Sequence, residues 1–459
     1  MQSQQGTPHG SPEVSRVSNE PPSFVALNDA TQEETDTSIA DCLRAWKLGE
    51  IPREHFHRNL KVFLVGISVL VAQIMVVSFM LKPIPGGKGH TPAMKEQIVS
   101  YPRAAVVDAT PSRPRELWCT YEPGHEGYML WDVPVEFCNA VLYCCVDLSH
   151  RGIRYLRPDV DEGHSGIDLF YTLREKRPTT ALYALLGDGQ QTTAAFQEKL
   201  AGVDIPTLIE TVRLWLRSKH LQGLVFYHHR HEKPLRGDNT YRDYYKDFVY
   251  QLGRDDLFVS AVVPFYTEYP GGGFSIAQFV NLSLSHLVLK SHNLGELPPH
   301  RAACPSPFTS KEEHRRTLSS FFRDVRHAYV NFNQDYAGRL LFSISLLAAQ
   351  YRLTDPMRFT ELSPAWKLDD PAFYSTMCSL TKRMGFVNLT STDDTDCLIV
   401  HKGVKWFSGF GPESTRVFRV TSGYAGVVLF GMHSDDYRGV CGQPHPLVRH
   451  VHSALRIFG

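Results

Sequence analysis

One segment constrains this chain before any other. Residues 62–81 read VFLVGISVLVAQIMVVSFML, with no charged side chain. Twenty residues rising about 1.5 Å each cross the roughly 30 Å hydrocarbon core of a bilayer. Gly66, Ser68, Gln73 and Ser78 dilute the run only slightly. A helix buried in a soluble core ordinarily keeps a polar face, and this run has none. Sixty-one residues precede it, far more than the short n-region of a cleavable signal peptide, so a single transmembrane helix is expected.

Three clues orient that helix. Arg44, Lys47, Arg53, Arg58 and Lys61 lie in the twenty positions before the run, against Lys82, Lys88 and Lys95 in the twenty after it. The basic excess places the N-terminus in the cytosol. Eight of the nine cysteines follow the run, as do both glycosylation sequons, Asn281-Leu-Ser and Asn388-Leu-Thr. The expectation is a type II membrane protein whose large C-terminal part lies in an extracellular or lumenal, oxidising compartment. Cys42, on the other side, reads as a plain thiol rather than a lipid attachment point.

The flanks divide the chain further. The first forty residues are rich in Ser, Thr, Gln, Glu and Pro and hold too little apolar surface to offset their ordering entropy. Residues 1–61 therefore form a disordered tail, 82–112 a Pro- and Gly-containing stem, and 113–459 the folded exterior part. Lys+Arg and Asp+Glu both number 48, so charge gives no case for nucleic-acid binding.

From residue 113 onward, short apolar runs alternate with amphipathic stretches. Thr180–Leu186 is a buried strand ended by Gly187-Asp188-Gly189. Asp204 is placed to cap the next helix, with Pro206 in its first turn, and Ile205, Leu208, Ile209, Val212 and Leu216 recur at helical spacing. Gly223 breaks the pattern, and Leu224–Tyr227 is the next strand. Helix Tyr241–Leu252 and strand Leu257–Val263 follow, then His314–Arg326 with Leu340–Ile344, and Gly426–Met432 with Pro446–Ile457. Repeated strand–helix units imply a parallel sheet, and about eight of them in roughly 345 residues suit an α/β (β/α)8 TIM barrel. An open doubly wound sheet is the rival arrangement. No Gly-rich dinucleotide fingerprint or Walker loop appears, and no cofactor is expected.

Several segments resemble, in order, glycoside hydrolase family 18, the chitinases and chitinase-like proteins. Trp118-Cys-Thr-Tyr121 resembles the first strand, and Cys138-Asn-Ala-Val-Leu-Tyr-Cys-Cys145 the second. Ala184-Leu-Leu-Gly-Asp-Gly189 resembles the third-strand Ser-x-Gly-Gly motif. The run from Gly426 to Cys441 resembles the last strand and its outgoing loop, and Trp406 and Pro412-Glu-Ser414 resemble the approach to it. The resemblance implies disulfides Cys119–Cys138 and Cys378–Cys441, and a small α+β insertion between strands seven and eight, about 352–415. It assigns no partner to Cys144, Cys145, Cys304 or Cys397.

The chemistry of that family depends on Asp-Gly-x-Asp-x-Asp-x-Glu at the fourth strand. Alternate residues share a face, so the last three acids point into the pocket. The Glu protonates the glycosidic oxygen, and the Asp two before it orients the substrate's N-acetyl group as an internal nucleophile. The matching stretch here is Gln222-Gly-Leu-Val-Phe-Tyr-His-His229. Gln222, Val225 and Tyr227 replace the three Asp residues, and His229 replaces the Glu. On the sixth strand Leu289-Lys-Ser-His292 replaces Met-x-Tyr-Asp, so Ser291 and His292 stand for the Tyr and Asp. Ala349 stands where an Arg is usual, and Phe430 where the pocket-floor Trp is usual. Asp435 and Asp436 are expected to cap the next helix. Catalytic residues are therefore assigned to none of these positions. A relocated acid, Glu232 or Asp188, is the alternative that would make the chain an active chitinase.

Two further patterns bear on binding. His228, His229, His231, His292 and His433 fall near strand ends, where neutral imidazoles can hold Zn²⁺ or titrate near neutral pH. Their spacing matches no metal motif, so hydrogen-bonded histidines without a metal are expected. Trp118, Tyr128, Trp131, Tyr266, Tyr269, Trp406 and Phe430 are aromatic candidates for stacking on sugars, with Trp406 foremost. Tyr227 above Val225 would fill the space of the acetamide. The expected protein is a membrane-anchored, non-catalytic chitinase-like ectodomain that binds chitin, a related glycan or a protein partner. A receptor or adhesion scaffold without glycan binding is the third reading.

Overall fold

The computed structural model describes residues 114–458, apart from 126, 163–165, 188–201, 228–239, 255, 265–283, 295–296, 311–314, 330–333, 369, 385–386 and 391–394. The apolar run 62–81, the tail and the stem lie outside the described residues. Among the described residues no helix is long and apolar enough to cross a membrane.

Eight parallel strands close into a barrel: Glu116–Tyr121, Ala140–Ser149, Ala181–Leu186, Gly223–Phe226, Phe258–Pro264, His286–Lys290, Leu340–Ser345 and Gly426–Phe430. Each pairs with the next, and the first pairs with both the second and the eighth. That double pairing excludes the open doubly wound sheet, which has two free edges. The strand positions read from apolar runs hold to within about two residues, the ordinary uncertainty of an element's end. An antiparallel return, Gly152–Tyr155, extends the second strand beyond the barrel.

The two faces of the strands sort their side chains by alternation. Trp118, Leu142, Tyr183, Leu185, Val225, Val262, Val288, Leu341 and Val428 fill the lumen. Leu117, Cys119, Val141, Leu182, Leu224, Phe226, Leu287, Phe342 and Leu429 face outward, where they pack with helix residues such as Leu208, Val212, Phe248, Phe321, Val448 and Val451. Helix Ile205–Ser218 begins with Asp204 at its N-cap position, but the Asp204 carboxylate takes the Thr207 hydroxyl rather than a backbone N–H. Helix Leu318–Tyr329 starts four residues later than expected. Thr317 Oγ1 accepts the Ser320 N–H at 3.2 Å, the interaction that begins a helix.

Between strands seven and eight the chain builds a second sheet of five antiparallel strands and the helix Tyr374–Met384. Its strand order is Ala365–Lys367, Ala349–Leu353, Lys405–Gly409, Leu398–Lys402, Val387–Thr390. Cys378–Cys441 joins the helix of this unit to the loop after strand eight, and Cys119–Cys138 links strand one to the segment entering strand two. Both pairings match the resemblance. The other four cysteines among the described residues pair as Cys144–Cys145 and Cys304–Cys397.

Barrel closure depends on close backbone approach at the strand beginnings. A Cβ on Gly426 would lie 1.9 Å from Glu116 O, and one on Gly223 would lie 2.1 Å from Phe258 O. Gly423, three residues before the eighth strand, has no atom within 4 Å of such a Cβ. Gly426→Ala should therefore lower unfolding free energy by about 1–3 kcal/mol. Gly423→Ala should stay within about 0.5 kcal/mol of the parent. Urea unfolding of the two variants side by side checks this.

Candidate functional site

The C-terminal ends of barrel strands are where a (β/α)8 fold assembles sites. Here the ends of strands four, six and eight converge on three rings. Tyr227, just past strand four, lies with its hydroxyl 3.4 Å from His292 Nε2. Phe430, the last residue of strand eight, has its centroid 5.3 Å from Tyr227 and 4.6 Å from His292. All three are buried, over a floor that includes Val225, Val288 and Val428. Lys290 places its Nζ 5.5 Å from the Tyr227 ring centroid, and burial lowers its pKa.

His292 is fixed from both sides. Its Nδ1 lies 2.6 Å from Ser343 Oγ on strand seven, and its backbone N–H also reaches that hydroxyl. Ser291, pointing the other way, donates to Ser343 O at 2.7 Å and accepts from Ser343 N at 3.0 Å. Burial, assisted by the positive Lys290, drives the His292 pKa down to about 3. The ring is neutral across the physiological range, so it is a hydrogen-bonded histidine and not a switch near neutrality. None of the described side chains of these three strand ends carries a carboxylate.

The other positions singled out by sequence scatter. Gln222 accepts the Leu182 N–H at 2.6 Å, tying strand four to strand three, as Asn139 Oδ1 ties to Leu117 N at 2.9 Å. Asp435 does cap the final helix, accepting from Leu447 N at 3.3 Å and Val448 N at 3.1 Å. Asp436 instead holds the preceding loop through Val440 N and Cys441 N. Ala349 is buried in the insertion sheet. His229, the rest of residues 228–232, Asp188, Tyr266, Tyr269 and Asn281 lie outside the described residues. Asn388 lies in strand Val387–Thr390.

The foremost stacking candidate is corrected. Trp406 is fully buried: its ring packs 5.5 Å from Tyr351, and its indole N–H donates to Phe359 O at 2.9 Å. It is core of the insertion, with no face left for a sugar. Trp118 is likewise interior, with its N–H on Glu116 Oε2 at 2.7 Å, and Tyr128 is buried as well. Trp131 is exposed on a 3-10 turn whose carbonyl accepts from Lys176.

Comparison with known proteins agrees with this architecture. No protein-family model matches the chain. An endochitinase of Manduca sexta is 19% identical over 374 residues, a match spanning 74% of this chain and 66%, just under two thirds, of the Manduca protein. A group IV chitinase of Ostrinia furnacalis superimposes with a TM-score of 0.65 at 14% identity, covering 74% of this chain and all of that one. Catalytic domain 2 of the Ostrinia furnacalis group II chitinase, solved with penta-N-acetylchitooctaose, gives 0.65 at 13% identity over 75% of this chain and 97% of its own. A chitinase-like agglutinin of Robinia pseudoacacia gives 0.60 at 14% identity over 74% and 99%. The chain has the barrel of the chitinases and a chitinase relative in sequence. At such identities the structural likeness speaks for the fold alone.

The neutral His292 has a measurable consequence. In the unfolded chain it takes up a proton near its usual pKa of about 6.5, whereas in the fold it does so only near pH 3. Between those values the unfolded state binds the extra proton, so stability falls on acidification. His292→Gln should reduce the loss of stability between about pH 7.5 and about pH 5 by about 2 kcal/mol. Chemical denaturation of both proteins across that range reads it out.

Proposed function

We propose that this protein is a chitinase-like ectodomain that does not cleave glycosidic bonds and acts by binding a glycan or a protein. One observation carries the reading. Where the resemblance places the Asp that orients the N-acetyl group, the structure has Tyr227, and its ring closes on His292 and Phe430. A carboxylate there would accept a hydrogen bond from the acetamide and hold a positive charge as it develops. A phenol and a neutral imidazole carry no negative charge to balance that positive charge, and their rings take up the volume. By the same resemblance His229 stands in place of the proton donor.

Loss of a general acid alone removes about 10²–10⁴ of rate. Loss of the orienting Asp removes the positioning of the nucleophile, and such groups act as a unit, so the effects do not add simply. The barrel and its disulfides remain, which suits retained recognition. Chitin or a related N-acetylglucosamine glycan is the ligand class favoured by the likeness to chitinases, and among the described stacking candidates Trp131 is exposed to it. A protein partner fits the same scaffold.

The reading includes an anchor. The run 62–81 would hold the barrel on the outer or lumenal side, glycosylated at Asn281 and Asn388, with residues 1–61 in the cytosol. A tethered barrel without its acids suits local recognition at a membrane surface better than turnover.

The full-length chain in detergent is expected to give no release of fluorophore from a fluorogenic chitooligosaccharide above the no-enzyme control. Turnover that disappears in Glu232→Gln or Asp188→Asn would overturn the proposal in favour of a relocated acid. Retention on chitin beads at low salt, competed by soluble chitooligosaccharide, would establish the glycan arm; passage through the beads would leave a protein partner as the ligand.

A further inference from the structure

A second constellation stands at the same end of the barrel, on strands one and eight. Glu122 directly follows strand one, His125 lies in the turn after it, and His433 lies just beyond strand eight. Strands one and eight are neighbours, with Cys119 beside Leu429. The chain leaves strand eight through Gly431, in the left-handed region at φ 71°, where a Cβ would meet Leu347 Cγ at 2.9 Å. That turn brings the His433 ring back over Glu122.

The Glu122 carboxylate is held by one oxygen and presents the other. Oε1 accepts from Gly431 N at 3.2 Å and from Thr120 Oγ1 at 3.4 Å. Oε2 faces both imidazoles, 3.6 Å from His125 Nε2 and 3.6 Å from His433 Nδ1. The two rings stack with centroids 3.8 Å apart and planes within 6°, so the partly exposed His125 ring has to turn for both in-plane lone pairs to meet at one ion. The His433 side chain is 5% exposed, and its Nδ1 is buried without a hydrogen-bond partner. The three facing atoms all lie within 4.8 Å of one another.

At 3.6 Å both imidazole nitrogens lie just beyond hydrogen-bond reach of Oε2. The spacing suits a shared metal ion. Ligand bonds of about 2.0–2.2 Å in a tetrahedron put the ligand atoms about 3.4 Å apart. The bonds to Oε1 are the outer-shell contacts that orient a ligating carboxylate.

We propose that Glu122, His125 and His433 form a zinc(II) site whose fourth position opens into the adjoining cavity of about 190 Å³, bordered by Tyr128, Phe373, Tyr437 and Arg438. Two imidazoles and one carboxylate are a zinc donor set, and three protein ligands leave a position for water or a ligand atom. The site is independent of the Tyr227 pocket: it stands whether or not the protein cleaves glycans. It also joins the ends of the two strands whose pairing closes the barrel.

The test is metal content. The full-length chain is stripped with a chelator, saturated with zinc chloride, desalted and analysed by elemental mass spectrometry, alongside thermal unfolding with and without zinc. About one zinc per chain is expected, with a higher midpoint in its presence. His125→Ala, at a partly exposed turn and so compatible with folding, should lose the zinc and the shift while keeping the parent circular dichroism spectrum. Thr120→Val should weaken zinc about 10-fold by freeing the carboxylate. Substoichiometric zinc in the parent overturns the proposal, as does His125→Ala that holds as much zinc as the parent, since the metal would then sit elsewhere among the 21 histidines.

Discussion

The candidate positions described at the barrel rim are placed by one constraint: the first barrel strand pairs on both sides. Glu116–Cys119 registers with Gly426–Leu429, and Trp118–Tyr121 registers with Ala140–Tyr143. Closure turns eight separate strand ends into one rim, so residues far apart in sequence become neighbours. Tyr227, His292 and Phe430 meet for this reason, and so do Glu122 and His433. Glycine at the start of strand eight permits the closure, because the backbones there come too close for any side chain.

A hydrolytic site of this kind concentrates carboxylates whose charge is balanced against the substrate. Here the lumen end is filled by apolar side chains, two aromatic rings and a histidine kept neutral by burial. His292 is satisfied between Ser343 and Tyr227. The remaining acids of the last strand's loop, Asp435 and Asp436, hold backbone N–H groups in place, which is a structural task.

The barrel was legible because its strands are apolar runs bounded by glycine, as at Ala181–Leu186 and Gly223–Phe226, and its helices show an apolar stripe, as at Leu208, Ile209, Val212 and Leu216. That Val225 and Tyr227 share the lumen face was legible, since strand alternation fixes which way they point. Trp406 was misleading. A tryptophan near the last strand reads as a cleft residue, but its pairing opposite Tyr351 puts it inside the insertion sheet. Helix starts set by Thr317 depended on a side-chain bond that apolar periodicity does not encode. The Glu122, His125 and His433 cluster escaped notice because its members sit at opposite ends of the barrel sequence. Only closure and the Gly431 turn bring them together. What a sequence would have offered is a Glu-x-x-His at the end of strand one, too short a pattern to stand alone.

The central claim is that Tyr227, His292 and Phe430 close this pocket and leave no room for an acetamide. A crystal structure of the chain soaked with a chitooligosaccharide tests it most directly. The account predicts Tyr227 still in contact with His292 and Phe430, with any sugar bound elsewhere on the surface. A sugar ring seated on Phe430, its N-acetyl group between Tyr227 and His292, would contradict it.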